Sequence, residues 1–262
     1  MSTGAKWIIT DEFSKHAELY DLYAFVQNRS ATLFAKFVNE GINDDYNPFF
    51  LEIGCGTGLF SIEIVKQFPD SRLHLTDISN EMLTKAFLRV ISVATAKVEY
   101  ELLDGENIPD MFESQADTLI SAFTIQWFFN PIEAIKRFQD KIPNLRRIYL
   151  SFPTNGSFSE WKKYAFEANV PYTANDLPDP KRLQNELESG VRSFKVEVLE
   201  MKQKYLNAFD FFNSIKHIGA GYSVTNSVLK PTELRKLIRK WDSSCPDEIS
   251  VTHEIAFVEI LI

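Results

Sequence analysis

The chain has 262 residues, of which 45% are hydrophobic and 24% are charged, and its net charge is −8. This composition is typical of a globular protein and excludes intrinsic disorder. No run of about 18 apolar residues occurs, so we expect no transmembrane helix and no membrane partner. Residues 1–12 lack the pattern of a secretory signal, and Cys55 and Cys245 are too few for a disulfide framework or a zinc cage. We therefore expect a protein of the reducing cytoplasm.

The charge is unevenly distributed along the chain. Residues 191–240 contain ten Lys and Arg but four Asp and Glu, which gives this segment a charge of +6 and leaves −14 for the rest. The acidic total argues against a nucleic-acid partner, since nucleic-acid-binding domains usually carry a basic surface. The basic segment is either a solvated helix surface or a face that meets an acidic partner.

The first half of the chain predicts helices followed by alternating strands and helices. One long or two short amphipathic helices are expected within residues 12–40. Their apolar positions recur at helical spacing: Leu19, Leu22, Tyr23, Val26, Leu33, Phe34, Phe37 and Val38. Strands are predicted at 49–53, 72–77, 97–102, 117–122 and 147–151, with helices at 59–68, 81–89 and 131–140. Ser79 is a suitable N-cap and Pro131 a suitable first helical residue. This alternation is typical of βαβ units and a mainly parallel sheet.

After Pro153 the pattern changes. Helices are predicted at 157–169, 181–188, 207–218 and 231–241, and long strands at 191–205 and 248–262. We expect one domain with N-terminal helices (1–45), a parallel core (46–152), an inserted helical cap (153–190) and a C-terminal part that adds antiparallel strand structure (191–262).

A glycine-rich turn lies between the first strand and the following helix. It reads Glu52-Ile-Gly-Cys-Gly-Thr-Gly58, which is G-x-G-x-G preceded by an acid rather than the G-x-G-x-x-G of dinucleotide-binding proteins. Glycines here let the backbone turn sharply and approach a ligand, although many such turns contain glycine for packing alone. Two more acids, Asp77 and Asp104, follow the next two strands. Taken by itself, Asp77 could instead be an acid that stabilises a helix N-terminus or forms a turn.

The glycine turn and the three ordered acids resemble class I S-adenosylmethionine-dependent methyltransferases. The resemblance implies a Rossmann-like α/β fold with a mainly parallel seven-stranded sheet and S-adenosylmethionine as cofactor. It implies that the loop holds the methionine and ribose, that Asp77 binds the ribose hydroxyls and that Asp104 contacts the adenine amino group. The expected cofactor residues are Glu52, Gly54, Cys55, Gly56, Gly58, Asp77, Ile78, Asp104, Gly105 and Ser121. Leu103 and Gly105 depart from the usual Gly and Ala of this family beside Asp104.

Other segments resemble malonyl-acyl-carrier-protein O-methyltransferases over about residues 15–262. They are Tyr20-Asp21 through Gln27, the SAFTIQW segment at 121–127, the segment at 151–160 and FNSIKHIGA at 212–220. The resemblance implies methylation of the free carboxylate of malonyl-acyl carrier protein, whose ester enters biotin synthesis. This chain departs from the family at Ala122, where Asn is common, and at Ser151-Phe-Pro153.

A carboxylate is already ionised at pH 7, so its methylation needs no strong general base. The four histidines are scattered, and no catalytic triad or metal motif is visible, so we expect no metal. Tyr20 is the candidate orienting hydrogen-bond donor, and its alternative role is that of a core helix residue with an exposed hydroxyl. The remaining candidates for the substrate pocket are Gln27, Gln126, Trp127 and Lys216, with Arg192 as a second candidate partner of the carboxylate.

The expected partner is an acidic acyl carrier protein. Its predicted docking residues lie around one basic helix: Lys230, Arg235, Lys236, Arg239 and Lys240. Two alternatives remain open. One is methylation of another small acid, as in trans-aconitate methyltransferases, and the other is a non-catalytic protein that binds S-adenosylmethionine. A nucleic-acid methyltransferase is disfavoured because no Asn-Pro-Pro-aromatic segment follows the fourth strand.

Overall fold

A computed structural model describes residues 3–42, 46–95, 97–221 and 228–262. The α-helices in this part of the chain are α1 (Thr3–His16), α2 (Tyr20–Tyr23), α3 (Phe25–Gly41), α4 (Leu59–Gln67), α5 (Asn80–Ile91), α6 (Pro131–Lys141), α7 (Ser159–Glu167), α8 (Pro180–Leu187), α9 (Ala208–His217) and α10 (Pro231–Ser244). The strands are β1 (Phe49–Ile53), β2 (Arg72–Asp77), β3 (Val98–Leu102), β4 (Thr118–Ala122), β5 (Arg147–Pro153), β6 (Ser193–Tyr205) and β7 (Ile249–Leu261).

The seven strands form one sheet in the order β3-β2-β1-β4-β5-β7-β6. The first five strands pair in parallel, whereas β7 pairs antiparallel with both β5 and β6. The predicted Rossmann-like fold is therefore confirmed. The strand order reverses between β1 and β4, and in open α/β sheets ligands bind at the carboxyl ends of the strands beside such a reversal.

Both faces of the sheet are covered by apolar side chains. On one side, Phe34 of α3 packs against Phe60 of α4 and Phe257 of β7, with ring centroids 4.7 and 5.0 Å apart. A second cluster includes Phe138 of α6 and Leu187 of α8. A third cluster, with Trp161, Phe211 and Trp241, joins α7, α9 and α10 to the end of the sheet. Burial on both faces explains why every residue of β1 is buried and why all of them are apolar except Glu52.

Local signals placed several helices correctly. Ser79 accepts a hydrogen bond from the Met82 amide at the start of α5, and Asn130 caps α6 directly before Pro131. Among the described residues, no helix is both long and apolar enough to cross a bilayer.

The N-terminal helices differ from the prediction. The expected helical region 12–40 is divided into parts of α1, α2 and α3, and α1 begins earlier, at Thr3. Leu19 and Leu22, which helical spacing assigned to the apolar face, are 44% and 63% exposed. The prediction was wrong there because the chain turns between α1 and α2, which ends the periodicity that the apolar spacing assumes. From Val26 onward, the predicted apolar positions Phe34, Phe37 and Val38 are buried, whereas Leu33 is 37% exposed.

We expect Gly58→Ala to destabilise the protein by about 2–4 kcal/mol. Gly58 has φ +83°, and an added Cβ would lie 2.9 Å from the Ala86 Cα of α5. Gly190→Ala is the matched control, because space around Gly190 is open, and its effect should stay within about 0.5 kcal/mol. Urea denaturation of both variants measures the difference. Equal losses would show that contact between the loop and α5 does not require glycine.

Candidate functional site

Two adjoining cavities lie at the carboxyl ends of the central strands. The first, of about 120 Å³, is lined by the turn after β1, by Asp77 and Ile78 at the end of β2, and by residues at the ends of β3 and β4. The N-terminal helix α1 covers it with Lys6, Ile9, Thr10 and Phe13. The second cavity, of about 600 Å³, lies between the N-terminal helices, α7, α9 and α10.

The glycine turn brings bare backbone to the first cavity. Gly54 and Gly56 have φ +70° and +55°, a conformation that glycine adopts without strain. A Cβ at Gly54 would collide with Thr124, whose hydroxyl donates to the Gly54 carbonyl at 3.0 Å. Around Gly56 no atom lies within 4 Å of that position. The turn is therefore packed at Gly54 and open at Gly56.

Asp77 fixes this turn from the end of β2. Its Oδ2 accepts a 2.8 Å hydrogen bond from the Gly56 amide, and its Oδ1 accepts one of 2.8 Å from the Ser79 amide. The side chain is buried, and burial raises the pKa of the Asp77 carboxyl to about 6, against the opposing effect of the backbone donors. One carboxylate thus joins the glycine turn to the start of α5.

Glu52 is the most isolated acid of the site. It is 1% exposed, and its Oε2 has no hydrogen-bond partner among the described residues. Burial, the largest cause, raises the pKa of Glu52 to about 8; the Ser61 hydroxyl opposes this shift, and the nearby charge of Asp77 adds to it. A buried acid with an unpaired oxygen is costly, and a cationic ligand beside it would offset that cost.

Asp104 is held by the N-terminal helix. Lys6 Nζ lies 2.7 Å from its carboxylate and 2.8 Å from that of Glu106. Asn107 Nδ2 and the Glu106 amide also donate to Asp104. The predicted adenine contact is therefore already in an ion pair that ties α1 across the cavity.

The two cavities meet at a shared wall. The residues that line both are Phe13, Tyr20, Gln27, Phe123 and Trp127. Phe13 and Trp127 pack edge to face at 5.3 Å. Phe123 has φ +53°, a strained conformation for a bulky residue, and its amide is held by the Ser151 carbonyl at 2.7 Å. Burial, with the charges of Asp21 and Asp77, raises the pKa of Tyr20 well above its usual range, so its hydroxyl stays protonated.

The structure brings most of the predicted residues to these cavities. Glu52, Gly54, Cys55, Gly56, Asp77, Ile78, Asp104 and Gly105 line the first cavity, whereas Tyr20, Gln27, Gln126, Trp127 and Lys216 line the second. The family departures also reach them, with Ala122 in the first and Pro153 in the second.

Three predicted residues lie outside both linings. Gly58 packs against α5, and Ser121 is buried with its hydroxyl donating to the Ile53 carbonyl at 2.8 Å. Arg192 is exposed at the far edge of the sheet beside Leu261. Within the described ranges, no group of three His, Cys, Asp or Glu side chains is arranged to hold a metal.

Sequence reasoning missed several lining residues. Lys6, Thr10 and Phe13 belong to α1, whose sequence lacks an apolar stripe that marks a buried face. Trp161 and His253 line the second cavity from α7 and β7, which are far apart in the chain. Only the folded sheet brings them together.

Comparison with known proteins supports the fold and the chemistry class. Residues 51–142 match the family model described as a methyltransferase domain. The malonyl-[acyl-carrier protein] O-methyltransferase of Priestia megaterium is 28% identical to this chain, and the aligned region covers 97% of each protein. A biotin biosynthesis bifunctional protein of Bordetella avium is 23% identical over 95% of this chain and 51% of its own length. Magnesium protoporphyrin IX methyltransferase from Synechocystis, with bound SAH, superposes with a TM-score of 0.60 at 13% identity, covering 98% of this chain and 100% of that one. The chain thus has the class I methyltransferase fold.

We expect Glu52→Gln to flatten the dependence of stability on pH. Because the folded-state pKa of Glu52 is about 8 and its ordinary value is 4.5, the folded protein retains a proton between these pH values that the unfolded chain has released. The free energy of unfolding therefore falls as pH rises through this window. Urea unfolding is measured at pH 5, 7 and 9. From pH 5 to pH 9, the free energy of unfolding of the variant should rise relative to that of the parent by on the order of a few kcal/mol.

The control for this experiment is Glu113→Gln, which changes an exposed acid. Its stability should follow that of the parent protein at all three pH values. Parallel curves for Glu52→Gln and the parent would contradict the assignment of a raised pKa to Glu52.

Proposed function

We propose that this protein transfers a methyl group from S-adenosylmethionine to the free carboxylate of a malonyl thioester carried by an acyl carrier protein. The methyl ester is the product that enters biotin synthesis. The observation that carries the proposal is the pair of joined cavities, one with buried acids and bare glycine backbone, the other large and aromatic, with Tyr20 at their boundary. The names of the relatives support the same substrate class.

The first cavity fits the cofactor in charge and in hydrogen-bonding capacity. S-adenosylmethionine is the cofactor and supplies an electrophilic methyl group. Asp77 would hold the ribose hydroxyls, since each of its oxygens accepts one backbone bond and can accept another. The unpartnered Oε2 of Glu52 would face the positive end of the cofactor, beside the open backbone at Gly56. Asp104 would accept a hydrogen bond from the adenine amino group while it remains paired with Lys6.

Positioning and desolvation account for the chemistry on the protein side. The acceptor carboxylate is ionised at neutral pH, so no side chain has to remove a proton. Phe13, Phe123 and Trp127 exclude water where the cavities meet, which strengthens electrostatic interactions there. Tyr20 keeps its proton and can donate a hydrogen bond to one carboxylate oxygen, leaving the other to be methylated. Lys216 lies in the lining of the second cavity as a cation for the same carboxylate.

The basic helix α10 lies beside the second cavity. Leu234 lines the cavity, while its neighbours Arg235, Lys236 and Arg239 are exposed. Lys230 is exposed at the start of the helix, and Lys240 is paired with Glu167 at 3.1 Å. We propose that this face, with Lys240 contributing less, docks an acidic carrier, because complementary charge guides encounter and orientation.

A methyl-transfer assay tests the proposal directly. Calorimetry with S-adenosylmethionine comes first, followed by transfer of labelled methyl to malonyl-, succinyl- and acetyl-carrier proteins. We expect methylation of the malonyl carrier and none of the acetyl carrier, which has no free carboxylate. Cofactor binding without transfer to any acid would favour a non-catalytic protein. Methylation of free small acids in preference to thioesters would favour an enzyme of the trans-aconitate kind.

We expect Tyr20→Phe to lower kcat by about 10- to 100-fold while changing the affinity for S-adenosylmethionine less than about threefold. Tyr20 lines both cavities, and in the proposed function its hydroxyl would touch the acceptor. Tyr100→Phe, which alters a 55% exposed residue of β3, is the control and should change neither quantity. Single-turnover rates and calorimetry give the two numbers. Equal losses in kcat and cofactor affinity would contradict the orienting role.

We expect reversal of Arg235, Lys236 and Arg239 to Glu to raise KM for the malonyl carrier by about tenfold. Malonyl-coenzyme A lacks the acidic carrier surface, so its KM should change little. Reversal of Lys195, Lys202 and Lys204 on β6 is the matched control, since these residues belong to the same +6 segment but lie on the edge strand of the sheet. Equal effects of the two triple variants, or equal effects on both substrates, would contradict docking at α10.

A further inference from the structure

Three residues that line the second cavity each carry a buried polar atom without a hydrogen-bond partner among the described residues. The atoms are Gln126 Oε1, Trp161 Nε1 and His253 Nε2. A buried polar group that stays unpaired costs about 1–3 kcal/mol, and such groups are rare in folded proteins. Three of them around one cavity indicate a ligand that pairs with them.

The chemistry of each atom restricts that ligand. Trp161 Nε1 can only donate. Gln126 Nε2 donates to the Phe123 carbonyl at 2.7 Å, which leaves Oε1 as a free acceptor. Burial lowers the pKa of His253 to about 4, so its ring is neutral at physiological pH and has one donor and one acceptor nitrogen. The ligand therefore needs both a hydrogen-bond acceptor and a donor.

The surroundings of Trp161 and His253 disfavour a charged ligand. Phe158 packs against both rings, with centroids 6.1 and 5.2 Å apart, and Phe212 packs against Trp161 at 5.1 Å. Glu160 is an anion near His253, and its oxygens are held by the Thr252 amide at 2.9 Å and hydroxyl at 2.6 Å. Lys216 is the one Lys or Arg among the described residues that line this cavity, and its side chain is exposed. A carboxylate beside Trp161 would thus lose its hydration close to an anion.

We propose that Gln126, Trp161 and His253 form a subsite for a neutral chain of secondary amides, the chemistry of the pantetheine arm that carries an acyl group. This proposal rests on the proposed function and adds where the arm lies. An amide carbonyl accepts from Trp161, and an amide N–H donates to Gln126. The alkyl parts of the chain lie against Phe158 and Phe212.

The size and position of the cavity agree with this assignment. About 600 Å³ is far more room than a malonyl group fills. Leu229, just before the basic helix α10, and Leu234, within it, line one part of the cavity. Tyr20 lines both cavities. An extended arm anchored at α10 would pass the subsite and present its acyl end at Tyr20.

The indole N–H of Trp161 reports directly on the subsite. The chain has four tryptophans, so ¹⁵N-labelled full-length protein gives four indole signals, and Trp161→Phe identifies one of them by its loss. We expect pantetheine to move the Trp161 signal downfield and 1-octanol, an apolar chain without amides, to leave it in place. Trp241 is 1% exposed in the adjoining cluster and outside the lining, so its signal is the internal reference. A Trp161 signal that ignores pantetheine, or that responds equally to both compounds, overturns the proposal.

Kinetics provide an independent readout that does not require the Trp161 variant to fold. Malonyl-pantetheine is compared with the malonyl thioester of an alkanethiol of equal length, using the parent protein and His253→Phe. We expect the parent to prefer the amide-bearing substrate by about tenfold or more in kcat/KM, and the variant to lose about tenfold of this preference through KM. Trp241→Phe, which changes packing outside the cavity, should keep it. An equal preference in His253→Phe and the parent overturns the proposal.

The two measurements separate this proposal from the proposed function. Pantetheine has no carboxylate, and its binding requires no turnover. A shifted Trp161 signal without methylation of any malonyl thioester leaves the subsite standing and contradicts the methyl-transfer function. Methylation of malonyl thioesters with an unmoved Trp161 signal and no preference for amides would support the methyl-transfer function and contradict the subsite.

Discussion

The two hydrogen bonds that Asp77 accepts are the constraint on which the site depends. Its carboxylate joins the Gly56 amide of the turn after β1 to the Ser79 amide at the start of α5. The strand order reverses next to β1, so this bridge lies where an open parallel sheet leaves space for a ligand. Because the same carboxylate is buried and its pKa is raised, ligand hydroxyls that donate to it stabilise the charged form. In the proposed function, local rigidity and cofactor affinity would therefore come from one side chain.

The N-terminal helices complete both cavities although they lie outside the sheet. Asp21 of α2 accepts from Thr57 in the glycine turn at 2.6 Å and pairs with Arg89 of α5. Lys6 of α1 pairs with Asp104 and Glu106 after β3. These ion pairs hold α1 and α2 against the cofactor side of the sheet, which places Phe13 and Tyr20 between the two cavities. Polar contacts thus position the aromatic wall on which the proposed substrate desolvation would depend.

The sequence predicted those parts whose signals are local. Buried strands such as β1, the N-cap at Ser79 and the acids at strand ends follow from short-range chemistry, and the structure has them where expected. The helix α1 was not predicted in full because its packing depends on contacts with the loop after β3 and with the start of α5, and Trp7 is 70% exposed. Ser121 was expected at the cofactor, but its hydroxyl is bound to the Ile53 carbonyl, which periodicity does not reveal. Trp161 and His253 were missed because only the antiparallel return of β7 brings them near one another.

The buried acids and the exposed basic residues of α10 lie beside different cavities. Buried acids surround the first cavity, where a cationic cofactor would offset their desolvation. Aromatic rings and neutral polar atoms line the middle of the second cavity, and exposed cations of α10 lie next to its apolar lining. An anionic substrate on an acidic carrier would thus be attracted at the basic face, lose water among the rings and meet positive charge again at the cofactor. The negative total charge does not oppose this path, because screening confines the influence of exposed charges to about 8–10 Å.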